Sequence, residues 1–234
     1  MNRQHFIHTI PSLIANVYLV ASDAGIIIVD TGFSNAARNV LRAIEQLGHT
    51  RTDVRLIFLT HVHMDHAGSA AELRRQTGAP IAMHRADVGK ARAGKHNMPN
   101  GRGTAGKLFE YAFNGLRLQM RYEAFAPDIL LEEGQTLKEF GLNARVVHTP
   151  GHTLGSLSLA LDDGVMLIGD ALINQFRVGM PMYGEDNALA YDSLRKLRAL
   201  RPRMLYSGHG KPFSGSDVER YLEIKGSSAE RIGA

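Results

Sequence analysis

The sequence predicts an α/β chain in which two sheets lie between helices. Three observations carry this. Short β-branched apolar runs alternate with stretches of helical periodicity in both halves of the chain. The strands end in polar loops, which such a sandwich gathers at one edge. The length of 234 residues, 44% of them hydrophobic, suits one α/β domain with a full core.

In order along the chain, Leu13–Ala21 and Ile26–Asp30 read as strands joined by the hairpin signal Ser-Asp-Ala-Gly. Asp30-Thr31-Gly32 ends the second. Ser34 or Asn35 is expected to cap a helix through Leu47, whose stripe is Ala37, Leu41, Ile44 and Leu47. Val54–Thr60 reads as a buried strand opening into the loop His61–Gly68, then a helix to about Gln76 and a short strand, Pro80–His84. Strands are expected at Ile129–Leu131, Asn143–His148, Ser156–Leu161, Val165–Gly169 and Arg203–Tyr206. Helices are expected at Asn187–Leu200 and Ser216–Ile224, with a frayed end.

Residues 1–234 are taken as a single domain with an insertion at about 94–127 near the site. The insertion is turn-rich, then helical from Lys107 to Tyr122, with Phe109, Tyr111, Phe113 and Met120 as apolar candidates to line a pocket or simply pack.

Composition narrows the function. The absence of cysteine excludes disulfides, thiolate ligands and a Cys nucleophile. No run approaches the roughly 20 apolar residues of a membrane span, and no export signal is evident, so a cytoplasmic location is expected. The net charge is +4, with basic residues scattered among acids, which argues against a nucleic-acid partner. Their one concentration, Arg85 to Arg121, fits either a solvated helix face or a surface that draws anionic small molecules.

The strongest local signal is His61-Val62-His63-Met64-Asp65-His66, four potential ligands directly after a strand. Imidazole and carboxylate suit zinc, and also manganese or iron. In a loop, His61 and His63 can share one side while Asp65 and His66 turn toward a neighbouring point, so one cluster can serve two ions. Two ions need further ligands. His152, Asp170 and His209 each follow a glycine, near the end of an apolar strand. Met64 reads as packing.

This ordered series, H-x-H-x-D-H, then His152, Asp170 and His209, preceded by Asp30-Thr31-Gly32, resembles the metallo-β-lactamase superfamily. The resemblance implies the four-layer αββα sandwich and two divalent metal ions, zinc first, with manganese or iron as alternatives. It places His61, His63 and His152 on one ion and Asp65, His66 and His209 on the other. Asp170 would bridge them, opposite a water or hydroxide that attacks a carbonyl. Asp65 or Asp170 would pass a proton to the leaving group, and Asp30 would orient a ligand. His148 is read as structural or as a residue that orients a ligand. Arg177 and Tyr183 are candidates to meet a substrate carboxylate or oxyanion, although Tyr183 also reads as a surface tyrosine.

Asp170 stands where several β-lactamase groups carry Cys. The chain therefore resembles more closely the glyoxalase II-like and lactonase-like branches, which act on thioesters, esters and lactones. It departs from both. Long-type glyoxalase II enzymes carry an extra helical domain, whereas about 25 residues follow His209 here; the signal-lactone hydrolases place a Tyr just beyond the bridging Asp, and Ala171–Phe176 has none. Rival readings are a phosphodiesterase or nuclease of the same fold, a β-lactamase-like amide hydrolase, a mononuclear iron oxygenase and a non-catalytic metal-stabilised protein. The sequence leaves the oligomeric state open.

Overall fold

The computed structural model describes residues 5–12, 15–96, 100–115 and 120–232. Six strands form the first sheet, in chain order across it: β1 (Phe6–Ser12), β2 (Ala15–Ser22), β3 (Gly25–Val29), β4 (Val54–Phe58), β5 (Ile81–His84) and β6 (Ile129–Leu131). The second sheet contains β7 (Ala144–His148), β8 (Leu157–Leu161), β9 (Val165–Gly169), β10 (Met204–Ser207) and β11 (Phe213–Ser214), ordered β11-β10-β9-β8-β7. The α-helices are α1 (Ala37–Gln46), α2 (Met64–Ala67), α3 (Ala70–Thr77), α4 (Val88–Ala93), α5 (Gly103–Gly115), α6 (Asn187–Ala199) and α7 (Gly215–Ile232). None of the described helices is long and apolar enough to cross a membrane.

The period-two alternation of strand side chains sorts the apolar residues into three layers. Val17, Leu19, Ile26 and Ile28 face outward onto Val40 and Ile44 of α1 and Leu73 of α3. Tyr18, Val20, Ile27, Val29, Leu56 and Phe58 face the second sheet, against Val146, Leu157, Leu159 and Leu167. On its far side Val147, Met166 and Ile168 bury Leu194 and Leu197 of α6 and Val218 of α7. Helices, two sheets and helices therefore stack in four layers, the expected αββα sandwich.

This topology places the polar loops. β3 and β4 run parallel, as do β9 and β10, so each pair delivers two adjacent C-terminal ends. The ends meet across the sandwich, where Leu157 N donates to Thr60 O at 2.7 Å and Asn16 N to Gly208 O at 2.7 Å.

Several expectations need correction. β1 pairs with β2 along its whole length and was not anticipated. It is an edge strand with polar residues and Pro11, whose missing N–H is tolerated there. The start of the second strand at Leu13 lies outside the described residues; the element is observed from Ala15. The insertion helix covers Gly103–Gly115 rather than Lys107–Tyr122, and Met120–Arg121 instead pairs with Lys95–His96. α7 runs on to Ile232, past the expected frayed end.

The cap of α1 comes from neither Ser34 nor Asn35. Asn35 has φ +81°, outside the extended conformation of a capping residue, and Ser34 Oγ donates to Gly68 O. Ser69 supplies the cap from a distant turn: its Oγ accepts from Ala36 N at 3.0 Å and Ala37 N at 3.2 Å, and donates to Phe33 O at 2.7 Å. Ser69→Ala is therefore expected to lower stability by about 1–2 kcal/mol, in the range of a lost helix cap. The reading is a lower denaturant midpoint with an unchanged m-value.

Candidate metal centre

β4 leaves the sheet at Thr60, and the next residues are shaped by Asp30 at the end of β3. The buried Asp30 carboxylate accepts from Thr60 N and Thr60 Oγ1, both at 2.8 Å, and from His66 Nδ1 at 2.8 Å. Thr31 donates twice to His66 O, from its N at 2.6 Å and its Oγ1 at 2.8 Å. Asp30-Thr31 is thus the seat of His66, and it leaves Nε2 of that ring free to bind elsewhere. The single turn of α2 (Met64–Ala67) carries Asp65 and His66 toward His209 and Asp170, while the His66 ring stays 4.1 Å from that of His61.

His209 is held from the opposite side. Asn16 Nδ2 donates to Ser207 O at 3.2 Å and Gly210 O at 2.9 Å, and Tyr18 Oη donates to Ser207 O at 2.5 Å. Gly208 permits the closeness of the loop: a Cβ there would lie 2.2 Å from Asp170 Oδ1 and 2.5 Å from His66 Cε1. At Gly169 the backbone takes φ +49°, and a Cβ would press on Thr60 at 2.7 Å. His152 is fixed by its Nδ1, which donates to Tyr183 O at 3.2 Å.

The seven side chains converge. The rings of His61, His63 and His152 form a nearly equilateral triangle, centroids 4.6–4.7 Å apart and planes crossed at 79–88°. His63 Nδ1 and His152 Nε2 are 2.9 Å apart. In the second group His66 Nε2 lies 3.3 Å from His209 Nε2, and Asp65 Oδ2 lies 3.4 Å from His209 Nε2 and 3.7 Å from His66 Nε2. Two nitrogens bound about 2.05 Å from a tetrahedral ion stand about 3.3 Å apart, and these spacings lie close to that value. Asp170 lies between the groups, Oδ2 at 3.4 Å from His152 and 3.1 Å from His209, Oδ1 at 3.6 Å from His66. His61 Nε2 and Asp170 Oδ1 are buried with no hydrogen-bond partner. Two unmet lone pairs amid converging donors fit metal ions.

The sequence profile of the metallo-beta-lactamase superfamily matches residues 11–209. The chain belongs to this superfamily. With its His/Asp cluster it is a metal-dependent hydrolase of that superfamily. "Probable metallo-hydrolase YflN" of Bacillus subtilis is 28% identical, over 92% of this chain and 88% of its own length. A hydroxyacylglutathione hydrolase of Cereibacter sphaeroides is 30% identical, over 92% of this chain and 70% of its own. The crystal structure of TTHA1623 in a di-iron-bound form is 25% identical, with a TM-score of 0.69, covering 92% of this chain and 97% of that one.

Electrostatics divides this His/Asp cluster in two. Burial, with the neighbouring imidazoles, drives His61 and His63 well below the usual histidine range. Burial also lowers His152 to about 4, with Asp170 opposing and Arg102 adding to the effect. These three rings are neutral at pH 7, the state in which imidazole binds metal. For His66 burial is outweighed by Asp65, Asp170 and Asp30, which raise it to about 10. Asp170 raises His209 in the same way. Burial disfavours the Asp170 carboxylate, but His209 and His66 hold it well below the usual range.

Other expected residues separate. The ring of Tyr183 is half-buried beside the cluster, 6.4 Å from that of His63 and 5.9 Å from that of His152. Arg177 is exposed, in the turn between Ile173–Asn174 and Val178–Gly179, and takes part in none of the cluster's described contacts. His148 touches none of the seven. Its ring stacks on His84 at 4.1 Å and bonds Leu154 O at 2.9 Å, steadying the loop that carries His152. Of the apolar candidates in the insertion, Tyr111 is exposed and Met120 half-buried, while the side chains of Phe109 and Phe113 lie outside the described residues.

Sequence reasoning missed His96, which stacks on His63 at 4.3 Å and accepts from Met64 N at 3.2 Å. It missed Asn16 too, whose signal was a lone amide inside an apolar strand. Asp30 has φ +60°, a conformation that Asn also adopts readily. Asp30→Asn should therefore keep the backbone but lose the carboxylate, weakening metal binding at the His66 group about 10- to 100-fold. Competition with a chromophoric chelator measures this, and unchanged affinity would remove Asp30 from the role.

Proposed function

We propose that this chain is a binuclear metal-dependent hydrolase that cleaves the carbonyl of an ester, thioester or lactone. The observation that carries it is Asp170, a buried carboxylate placed between two complete three-ligand groups. His61, His63 and His152 would hold one ion, Asp65, His66 and His209 the other, and Asp170 would touch both. Zinc is the proposed occupant, with iron the alternative suggested by the di-iron form of TTHA1623. When bound, the ions supply a hydroxide near neutral pH and polarise a carbonyl oxygen, and with few acidic ligands the centre stays net positive toward an anionic substrate.

The chain's own groups do the rest. Asp170, charged and enclosed by three imidazoles, suits a fixed ligand. The Asp65 side chain is 13% exposed against 5% for Asp170, and is the better placed carboxylate to carry a proton to the leaving group. Burial, then Asp65 and Asp170, push the Tyr183 phenol up, so it stays a proton donor at neutral pH beside the two carboxylates. We assign it to the oxyanion that develops on the substrate.

A carbonyl substrate is favoured over a phosphodiester by the engagement of three cations of the basic segment. Arg85 pairs with Glu132, Lys90 with Asp87 and Glu185, and Arg102 is engaged by backbone carbonyls. These cations are committed within the protein. The relative named as hydroxyacylglutathione hydrolase supports an acyl substrate.

Purified protein should contain two equivalents of metal and turn over thioesters, esters or lactones in a panel that also holds β-lactams and phosphodiesters. Turnover of phosphodiesters alone would overturn the carbonyl reading. Asp170→Ala should strip both ions on gel filtration, by elemental analysis; a variant that keeps both and remains active defeats the bridging assignment. Tyr183→Phe should lower kcat/KM about 100-fold with metal content unchanged.

A further inference from the structure

We propose that Arg102, in the segment leading into α5, is a positioning residue for the metal site of His61, His63 and His152, acting through the backbone carbonyl of Tyr183. The inference rests on the binuclear reading above and concerns a residue that touches neither metal nor substrate.

Residues 181–187 are wedged between two other segments. On one side Arg102 N donates to Met182 O at 2.5 Å and Gly184 N donates to Asn100 O at 3.0 Å. On the other, Glu185 N donates to His152 O at 3.1 Å and Asp186 N to Gly151 O at 3.0 Å. The Tyr183 carbonyl sits at the centre and takes two donors, Arg102 Nη1 at 3.0 Å and His152 Nδ1 at 3.2 Å. The guanidinium is itself fixed: Nη1 also donates to Pro181 O at 3.0 Å, and Nε to Asn187 Oδ1. Gly184 makes room for it, because a Cβ there would stand 2.2 Å from Arg102 Nη2 and 2.9 Å from Gly151 O.

Two consequences follow for His152. Its ring direction is set by a carbonyl that cannot swing, which keeps Nε2 2.9 Å from His63 Nδ1. The carbonyl is also anchored by a charge-assisted hydrogen bond from the guanidinium, which resists its displacement more than a neutral donor would. The second group shares none of this support, since Asp30, Thr31 and Asn16 hold His66 and the His209 loop.

The test is zinc titration of the full-length protein against a chromophoric chelator, for wild type, Arg102→Ala, Arg102→Lys and Asn187→Ala. Arg102→Ala should weaken one of two zinc sites about 10- to 100-fold and leave the other unchanged. Arg102→Lys, which keeps charge without the fork, should recover part of the loss. Asn187→Ala, which frees only Nε, should shift the same site less, and answers the question if the alanine at 102 does not fold. Cobalt-substituted Arg102→Ala should show an altered visible spectrum for the three-histidine site alone. Equal weakening of both sites, or no change in either, overturns the proposal. So does a KM rise confined to anionic substrates with metal affinity intact, which would make Arg102 a substrate contact. A wild type that takes up no zinc or cobalt defeats the binuclear reading instead.

Discussion

A buried donor or acceptor without a partner costs about 1–3 kcal/mol, and the packing of this protein concentrates such groups at one point. His61 Nε2 and Asp170 Oδ1 have no hydrogen-bond partner, and around them five imidazoles and two carboxylates present ring nitrogens and oxygens to shared positions. Each ring is held by its other atom or by its loop: His66 by Asp30, His61 by Thr60, His152 by Tyr183. The supporting bonds set where the free lone pairs point. A cation satisfies several of those lone pairs at once, which hydrogen bonds within the cluster cannot do.

The two groups draw on both halves of the chain. The cluster from His61 to His66 belongs to the first sheet, and His152, Asp170 and His209 belong to the second. Neither half has a complete site. They meet because the middle apolar layer, with Phe58 and Val29 against Leu159 and Leu167, fixes one sheet on the other. Metal affinity is consequently part of folding free energy, and ligand geometry depends on core packing far from the loop. The backbone bonds from Leu157 to Thr60 and from Asn16 to Gly208 carry that packing to the edge where the ligands emerge.

The seven converging residues were legible because each obeys a local rule: a polar loop directly after an apolar strand, or a glycine immediately before a His or Asp. Asp30 was legible through its motif. What supports them was not. Ser69 caps a helix more than thirty residues upstream, a relation no short-range signal records. β1 escaped notice because an edge strand needs no continuous apolar face. Tyr183 lies well beyond Asp170, and Arg102 sits in an insertion with many other cations; only the pairing of 100–102 with 182–184 brings them to His152. Arg177 is close to Asp170 in sequence, yet its exposed side chain takes part in none of the cluster's described contacts.

The centre is asymmetric before any ion enters. Burial drives His61, His63 and His152 below the usual histidine range, so they are neutral at pH 7 and their lone pairs are available. His66 is surrounded by Asp65, Asp170 and Asp30, which push it above the usual histidine range against the effect of burial. The carboxylates that favour the proton there favour a divalent ion more, because they interact with twice the charge. The same fold edge thus builds one group of neutral nitrogen donors and one of mixed charge, with Asp170 between them. That difference, set by which loops carry acids, gives the two positions unequal electrostatic character within a few ångströms.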